Sequence, residues 1–253
     1  MITVDLNSDI GEGYGPWDKG DDAALMRVIS SANIACGFHA GDPDVMARTM
    51  RLAVENGVGI GAHPGFDDKQ GFGRRRLPLS HAEITNMITY QLGAAQAMAR
   101  AAGGEVRHFK LHGALSNMAS EDAELARVCY QAALSVAPDI IIMGLAATAM
   151  EVVVRDLGCR WAGEIFADRA YNDDATLVDR SIEGSVLHEP ALITPRILDM
   201  LRHQAIITHS GKHIPCQIDT VCVHGDTAGA LSMAQSLRAG LEDAGVTVAP
   251  FKG

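Results

Sequence analysis

The chain has 253 residues, of which 47% are hydrophobic and 21% charged, and its formal net charge at pH 7 is −10. This charge balance argues against nucleic acid as a main partner, because phosphate recognition needs an excess of lysine and arginine. The five cysteines form no CxxC pair, which disfavours a disulfide framework or a structural zinc site. No signal peptide is visible, and the longest apolar region, residues 140–154, is too short to cross a membrane. We therefore expect a cytoplasmic protein without a membrane partner.

In the first half of the chain, short apolar runs alternate with helical patterns. The apolar runs predict strands at residues 3–6, 33–36, 58–62 and 106–111. The helical patterns predict helices at residues 22–31, 44–56 and 80–102. Pro43 and Gly57 bracket the second helix, and the capping box formed by Ser80 and Glu83 opens the third.

The same alternation continues in the second half of the chain. Strands are expected at residues 140–143, 160–165 and 220–224, with a short terminal strand at 246–248. Helices are expected at residues 120–136, 148–157, 194–204 and 227–244. Residues 171–189 have no helical period and are expected to form a loop or a small hairpin, and residues 214–220 are expected to be irregular.

About seven strand–helix alternations without a linker predict parallel strands joined by helical crossovers. We expect residues 1–253 to form a single, irregular (β/α) barrel of about seven parallel strands. The alternative is an open, doubly wound sheet.

Polar side chains recur at alternate positions of the predicted strands. Because strand side chains alternate between faces, and the outer face of a barrel must be apolar to meet the helices, these polar sets should point inward. Catalytic groups in such barrels lie at the carboxyl ends of the strands. This places the following residues around one mouth: Asp9, His39, His63, Lys110, His112, Glu164, His224 and Asp226.

Several of these features also have structural explanations. A histidine near a strand end can be a hydrogen-bonded structural residue, and the run Arg74–Arg76 can be a solvated charge cluster. Lys110 inside a barrel mouth needs either a carboxylate partner or an anionic substrate, because an unpaired buried ammonium is costly. The glycine loops contain no GxxxxGK[ST] motif, which excludes a P-loop.

Six segments occur in order along the chain: LNSDIGEGYG, SANIACGFHAGDP, GAHPGFDDKQGFGRR, KLHGALSN, EIFADRAY and CVHGDTAGA. Together they resemble the LamB/YcsF family. The resemblance implies an irregular (β/α) barrel related to glycoside hydrolase and deacetylase barrels. It also implies ring opening of 5-oxoproline to L-glutamate coupled to hydrolysis of ATP, supplied with Mg²⁺, in a complex with two partner subunits, B and C. Where the family usually has KPHGALY, this chain has Leu111 and Ser116 in place of proline and tyrosine.

Opening a lactam with ATP needs cations for carboxylate and phosphate, a base for water and donors for the developing oxyanion. The resulting catalytic candidates are Asp9, His63, Lys110, His112, Glu164 and His224, with Asp9 or Glu164 as the base. The substrate-binding candidates are Asn7, His39, Asp42, Arg74, Arg75, Asp168, Arg169 and Asp226.

Two other functions remain open on the sequence. One is a metal-dependent hydrolase or deacetylase acting on a small amide or carbohydrate, with Asp9, His39 and His63 as ligands of an ion such as zinc. No HExxH motif supports this alternative. The other is a non-catalytic subunit that binds a small carboxylate.

Overall fold

The computed structural model of the chain describes residues 2–187, 189–223 and 229–251. Its strands, in chain order, are β1 (Thr3–Ile10), β2 (Ser31–Ala35), β3 (Gly59–His63), β4 (Val106–Lys110), β5 (Ile141–Leu145), β6 (Trp161–Phe166), β7 (Ala205–Ile207), β8 (His213–Pro215), β9 (Thr220–Cys222) and β10 (Thr247–Val248). Its helices are α1 (Asp22–Leu25), α2 (Pro43–Asn56), α3 (His81–Ala101), α4 (Gly113–Glu121), α5 (Ala123–Val136), α6 (Ala149–Leu157), α7 (Pro190–His203) and α8 (Ala230–Asp243).

Seven of the described strands form a closed parallel barrel. The strands β1 to β6 lie side by side in chain order, and β9 pairs with both β6 and β1. The β1–β9 pairing closes the sheet, which confirms the predicted barrel and excludes the open doubly wound alternative. The predicted short terminal strand is β10, which pairs in parallel with the start of β1.

The two faces of the barrel differ in polarity, as the alternation of strand side chains predicts. Val4 and Leu6 belong to the hydrophobic core between the strands and the surrounding helices. Asp5 and Asn7 are equally buried but point into the barrel, where both bind the Thr220 hydroxyl. The barrel interior is therefore a polar, hydrogen-bonded space rather than a second apolar core.

One glycine of β3 is required by the neighbouring side chain. A Cβ at Gly61 would overlap the imidazole of His108, which lies inside the barrel beside it. Gly59 has no such constraint, because the nearest atom to a Cβ there would be 3.5 Å away. Near the carboxyl terminus of the chain, Phe251 covers the amino-terminal end of the barrel below these residues. Its ring packs edge-on against that of His108, with 5.4 Å between the ring centroids.

Local capping signals place several helices as predicted. Asp42 caps α2, which ends at Gly57 in the left-handed conformation with φ of 67°. Ser80 and Glu83 form the predicted capping box of α3. None of the helices in the described part of the chain has the length and apolarity needed to cross a bilayer.

The predicted helix at residues 22–31 is wrong in its length. α1 ends at Leu25, and Ser31 already belongs to β2. The backbone N–H of Ser30 donates to the Leu6 carbonyl at 2.8 Å, and its hydroxyl donates to Asp5 at 2.7 Å. These bonds hold Ser30 against the sheet, so the helix cannot extend to residue 31.

The helix expected to begin at Ser120 begins at Ala123 as α5, and a separate helix, α4, precedes it. Ser120 lies inside α4, where its hydroxyl donates to the Asn117 carbonyl at 2.7 Å. The cap of α5 is instead Asp122, whose carboxylate accepts from the next helical N–H groups.

Further along the chain, α7 begins at Pro190 rather than at residue 194, so Pro195 lies inside the helix. The sequence also missed the antiparallel pair of β7 and β8. The described part of the expected loop, residues 171–187, is a loop with isolated bridges, such as the one between Tyr171 and Leu177.

Candidate active site

The carboxyl ends of the barrel strands open into a cleft of about 600 Å³. Its floor includes Asp9, His63, Lys110 and His112, which lie at or just beyond the ends of β1, β3 and β4. The loop after β3 and the start of α4 form one wall, and the segment after β6 forms another. The fold therefore brings these four sequence-predicted residues together.

The ammonium group of Lys110 lies between two carboxylates at this floor. Its Nζ is 2.9 Å from Asp9 Oδ1 and 2.7 Å from Glu164 Oε1. Burial alone lowers the pKa of Lys110, but the carboxylates outweigh it and hold that pKa well above its usual value. The Lys110 and Glu164 side chains are 3% and 2% exposed, whereas Asp9 is 12% exposed and lines the cleft. Asp9 is therefore the carboxylate of this group that a bound molecule can reach.

Backbone carbonyls fix the tautomers of two histidines beside Asp9. His63 Nδ1 is 2.8 Å from the Lys110 carbonyl, and His112 Nε2 is 2.8 Å from the Phe72 carbonyl. A carbonyl oxygen only accepts, so both of these ring nitrogens carry hydrogen. The other nitrogens, His63 Nε2 and His112 Nδ1, lie 3.1 Å apart. Burial and the neighbouring histidines lower the pKa of His112 well below its usual value, which keeps its Nδ1 unprotonated.

His39 completes this group from the loop after β2. Its ring stacks on that of His112, with centroids 3.6 Å apart and planes 6° from parallel. Its Nε2 is 3.7 Å from Glu12 Oε1, and neither ring nitrogen has a hydrogen-bond partner among the residues that the structure describes. Burial lowers the pKa of His39 well below its usual value, so the ring is neutral. One donor atom from each of four residues lies within 4.8 Å of the others: Glu12, His39, His63 and His112.

Two glycines of the loop after β3 make room for the stacked rings. A Cβ at Gly73 would lie 2.7 Å from His39 Cβ and 2.8 Å from His112 Cδ2. A Cβ at Gly65 would lie 2.8 Å from His39 Nδ1. These glycines are explained by close packing of the histidines.

A buried amide holds Asp9 from below. Asn33 Nδ2 donates to Asp9 Oδ1 at 2.8 Å and to Asn7 Oδ1 at 2.7 Å. Asn33 Oδ1 accepts from His108 Nε2 at 2.8 Å. Burial, and then the charge of Lys110, lower the pKa of His108 to about 3, so this histidine is a neutral donor. These bonds use both amide hydrogens of Asn33 and fix the Asp9 carboxylate beside Lys110.

The outer walls of the cleft are rich in guanidinium groups. Four arginines line it: Arg74, Arg76, Arg169 and Arg180. Arg76 forms an ion pair with Glu121 at 2.6 Å. Arg169 is buried and donates to the Val178 carbonyl at 2.5 Å, and burial, followed by the charge of Arg180, lowers its pKa to about 10. The contribution of Arg180 reflects the proximity of the two guanidinium groups at the mouth.

Other predicted site residues lie elsewhere. Arg75 binds the Asp68 carboxylate and does not line the cleft. Asp42 caps α2 and accepts from Gly15 N–H at 2.6 Å. Asp168 is buried but does not line the cleft. The predictions for His224 and Asp226 lie outside the described residues.

Sequence reasoning missed three groups of this site, namely Glu12, Asn33 and Arg180. Glu12 stands three residues beyond Asp9 in the first motif, where the glycines on either side of it are typical of a turn rather than of a site residue. Asn33 gave a usable signal, because an amide in a strand that is otherwise apolar is a buried polar group in need of partners. Arg180 lies in a segment without periodicity, and nothing in the sequence marks it.

Known proteins are similar to this chain in sequence and in fold. A model of the LamB/YcsF family matches residues 4–253. A 5-oxoprolinase A-subunit from Ruegeria pomeroyi is 63% identical over 252 residues, which covers 100% of both chains. The crystal structure of a lactam utilization protein from Thermus thermophilus is 39% identical, with a TM-score of 0.92 over 99% of this chain and 100% of the other. A T48 deacetylase, 13% identical with a TM-score of 0.50 over 98% of this chain and 88% of its own, shares the fold alone.

Proposed function

The chain belongs to the LamB/YcsF family, and we propose that it is the A-subunit of an ATP-dependent 5-oxoprolinase, an enzyme that opens 5-oxoproline to L-glutamate. The observation that carries this proposal is the cleft, which has an accessible carboxylate at its floor and guanidinium groups at its mouth. The Ruegeria pomeroyi relative, matched over its whole length, supports the choice of reaction. By the same argument the chain works with two partner subunits, B and C.

The charges of the cleft suggest how 5-oxoproline would lie in it. The substrate has one carboxylate and one lactam carbonyl. Lys110 is already neutralised by Asp9 and Glu164, so the arginines of the outer wall are the better partners for the carboxylate. Arg74 and Arg169 are the predicted members of that wall. The lactam would then face Asp9 and His63.

Asp9 is placed to act as the general base. Phosphorylation of the lactam oxygen by ATP makes the carbonyl carbon electrophilic, and water then attacks it. Asp9 accepts the proton of the attacking water, and the C–N bond breaks as the ring nitrogen takes up a proton to become the amine of glutamate. A second water hydrolyses the acyl phosphate that remains, which releases phosphate and leaves the new carboxylate of glutamate. His63 Nε2 lies 3.3 Å from Asp9 Oδ2, close enough to pass that proton onward. Lys110 and Asn33 hold the base in position.

The test is turnover by this chain assembled with its two partner subunits. Asp9→Asn keeps the size of the side chain and removes the base, so glutamate formation should fall by about 10²- to 10⁴-fold. Asp139→Asn is the matched control, because Asp139 is exposed and precedes β5 at the opposite end of the barrel.

Two results would overturn the proposal. Absence of 5-oxoproline-dependent glutamate formation from the assembled wild type would reject the reaction. Turnover by Asp9→Asn within about threefold of the control would reject the assigned base. If the chain also binds 5-oxoproline while Asp9→Asn leaves turnover unchanged, the result would favour a non-catalytic binding subunit.

A further inference from the structure

We propose that Glu12, His39, His63 and His112 form a site for one divalent transition-metal ion at the floor of the cleft, with Zn²⁺ as the reference ion. The binding of the ion does not depend on the proposed function. Its use in lactam opening does, because that use rests on the assigned reaction.

The donor set has the composition and spacing of a transition-metal site. Three imidazoles and one carboxylate are ligands that Zn²⁺ accepts at about 2.0–2.2 Å, which puts the donors of a tetrahedral site roughly 3.3 Å apart. His63 Nε2 and His112 Nδ1 are 3.1 Å apart, and Glu12 Oε1 is 3.7 Å from His39 Nε2 and 3.9 Å from His112 Nδ1. Small side-chain movements would bring all four donors to ligand distance.

The tautomers of two histidines aim lone pairs at a common point. The Lys110 and Phe72 carbonyls take the N–H groups of His63 and His112. The remaining lone pairs then face each other, and they repel unless a proton or a cation lies between them. A backbone carbonyl on the far nitrogen is the usual outer support of a metal-bound histidine.

His39 supplies an independent observation. Its side chain is fully buried, and within residues 2–187, 189–223 and 229–251 neither ring nitrogen has a hydrogen-bond partner. A buried polar atom without a partner costs about 1–3 kcal/mol, and an ion bound at His39 Nε2 would satisfy one of the two. The stacking of His39 on His112 points its ring toward the same donors, and Gly65 and Gly73 keep space for that arrangement.

This set differs from the ligands predicted from the sequence, which were Asp9, His39 and His63. Asp9 Oδ1 is held by Lys110 and Asn33, and Asp9 Oδ2 lies 3.3 Å from His63 Nε2. Glu12 Oε1 instead approaches two of the imidazoles, those of His39 and His112, and its donor atom groups with all three histidines. Four protein donors fill a tetrahedral shell, so the ion would supply Lewis-acid polarisation of a carbonyl only by accepting it as an additional ligand. Asp9, Lys110 and Asn33 retain the roles given to them above, whereas His63 Nε2, once it is a ligand, would no longer take a proton from Asp9.

The experiment uses the purified full chain after removal of metals with a chelator. Zn²⁺ binding is measured by equilibrium dialysis with elemental analysis, and Co²⁺ binding by visible absorption. We expect about one ion per chain, and a loss of affinity of about 100-fold or more in Glu12→Gln and in His39→Gln. The double variant His203→Gln/His213→Gln is the matched control, because it removes a surface pair of imidazoles 5.2 Å apart and should leave the affinity unchanged.

Each result decides the question. Circular dichroism identifies variants that fail to fold, and the near-isosteric Glu12→Gln keeps the test valid if His39→Gln does fail. Wild-type binding no stronger than that of Glu12→Gln, or binding abolished by the His203/His213 control, overturns the proposal. Retained metal binding in a chain whose assembled complex does not open 5-oxoproline would reject the proposed function and leave this site standing.

Discussion

Replacing Lys110 with methionine should destabilise the protein far more than the loss of an ordinary ion pair. Methionine has a similar length and fills the same space, so the change removes mainly the charge. Asp9 and Glu164 would then face each other without the ammonium that lies 2.9 and 2.7 Å from them. Glu164 has almost no access to water with which to replace that partner.

The size of the effect follows from burial. Removing one partner of a buried ion pair costs about 3–5 kcal/mol, because the other charge stays desolvated. For a chain of this length, 1 kcal/mol changes the Tm by about 2–4 °C, so Lys110→Met should lower the Tm by about 6–20 °C. Arg127→Met is the matched control, since its ion pair with Asp156 is 38% and 65% exposed and should contribute at most about 1 kcal/mol.

The assay is thermal and urea unfolding followed by circular dichroism. A second substitution sharpens it: Lys110→Met/Glu164→Gln removes the excess carboxylate and should recover part of the lost stability. The electrostatic explanation is refuted if Lys110→Met behaves like the Arg127 control. It is also refuted if the double variant is no more stable than Lys110→Met alone.

Two further predictions concern the polar interior and the loop glycines. Burial raises the pKa of Asp5 from 3.8 to about 6, so the stability it contributes is complete below about pH 4 and is lost as the pH rises through 6. Urea unfolding should show wild type losing about 3 kcal/mol relative to Asp5→Asn between about pH 4 and pH 8, and a difference that does not vary with pH would contradict this. Gly73→Ala should cost about 1–3 kcal/mol more than Gly103→Ala, because both glycines have positive φ but only Gly73 adjoins His39 and His112. Equal melting temperatures for the two alanine variants would show that the packing argument is wrong.

Strand periodicity was the most informative property of the sequence. The alternation of polar and apolar residues in β1 and β4 correctly separated the interior of the barrel from the face that meets the helices. Local capping rules placed α2 and α3 because the signals lie within a few residues. The sequence could not reveal α4, which begins at Gly113 with φ of 55° and has no side-chain cap.

The sequence could not predict which charged groups pair with one another inside the cleft, and Lys110 shows the reason. A buried lysine indicates a negative partner, but whether that partner belongs to the protein or to a substrate depends on which strands adjoin. Asp9 comes from β1 and Glu164 from β6, and only closure of the barrel brings both to the lysine of β4. With that charge satisfied internally, the proposed recognition of an anionic substrate is assigned to the arginines at the mouth. One of these, Arg180, comes from an aperiodic loop that no strand rule could place.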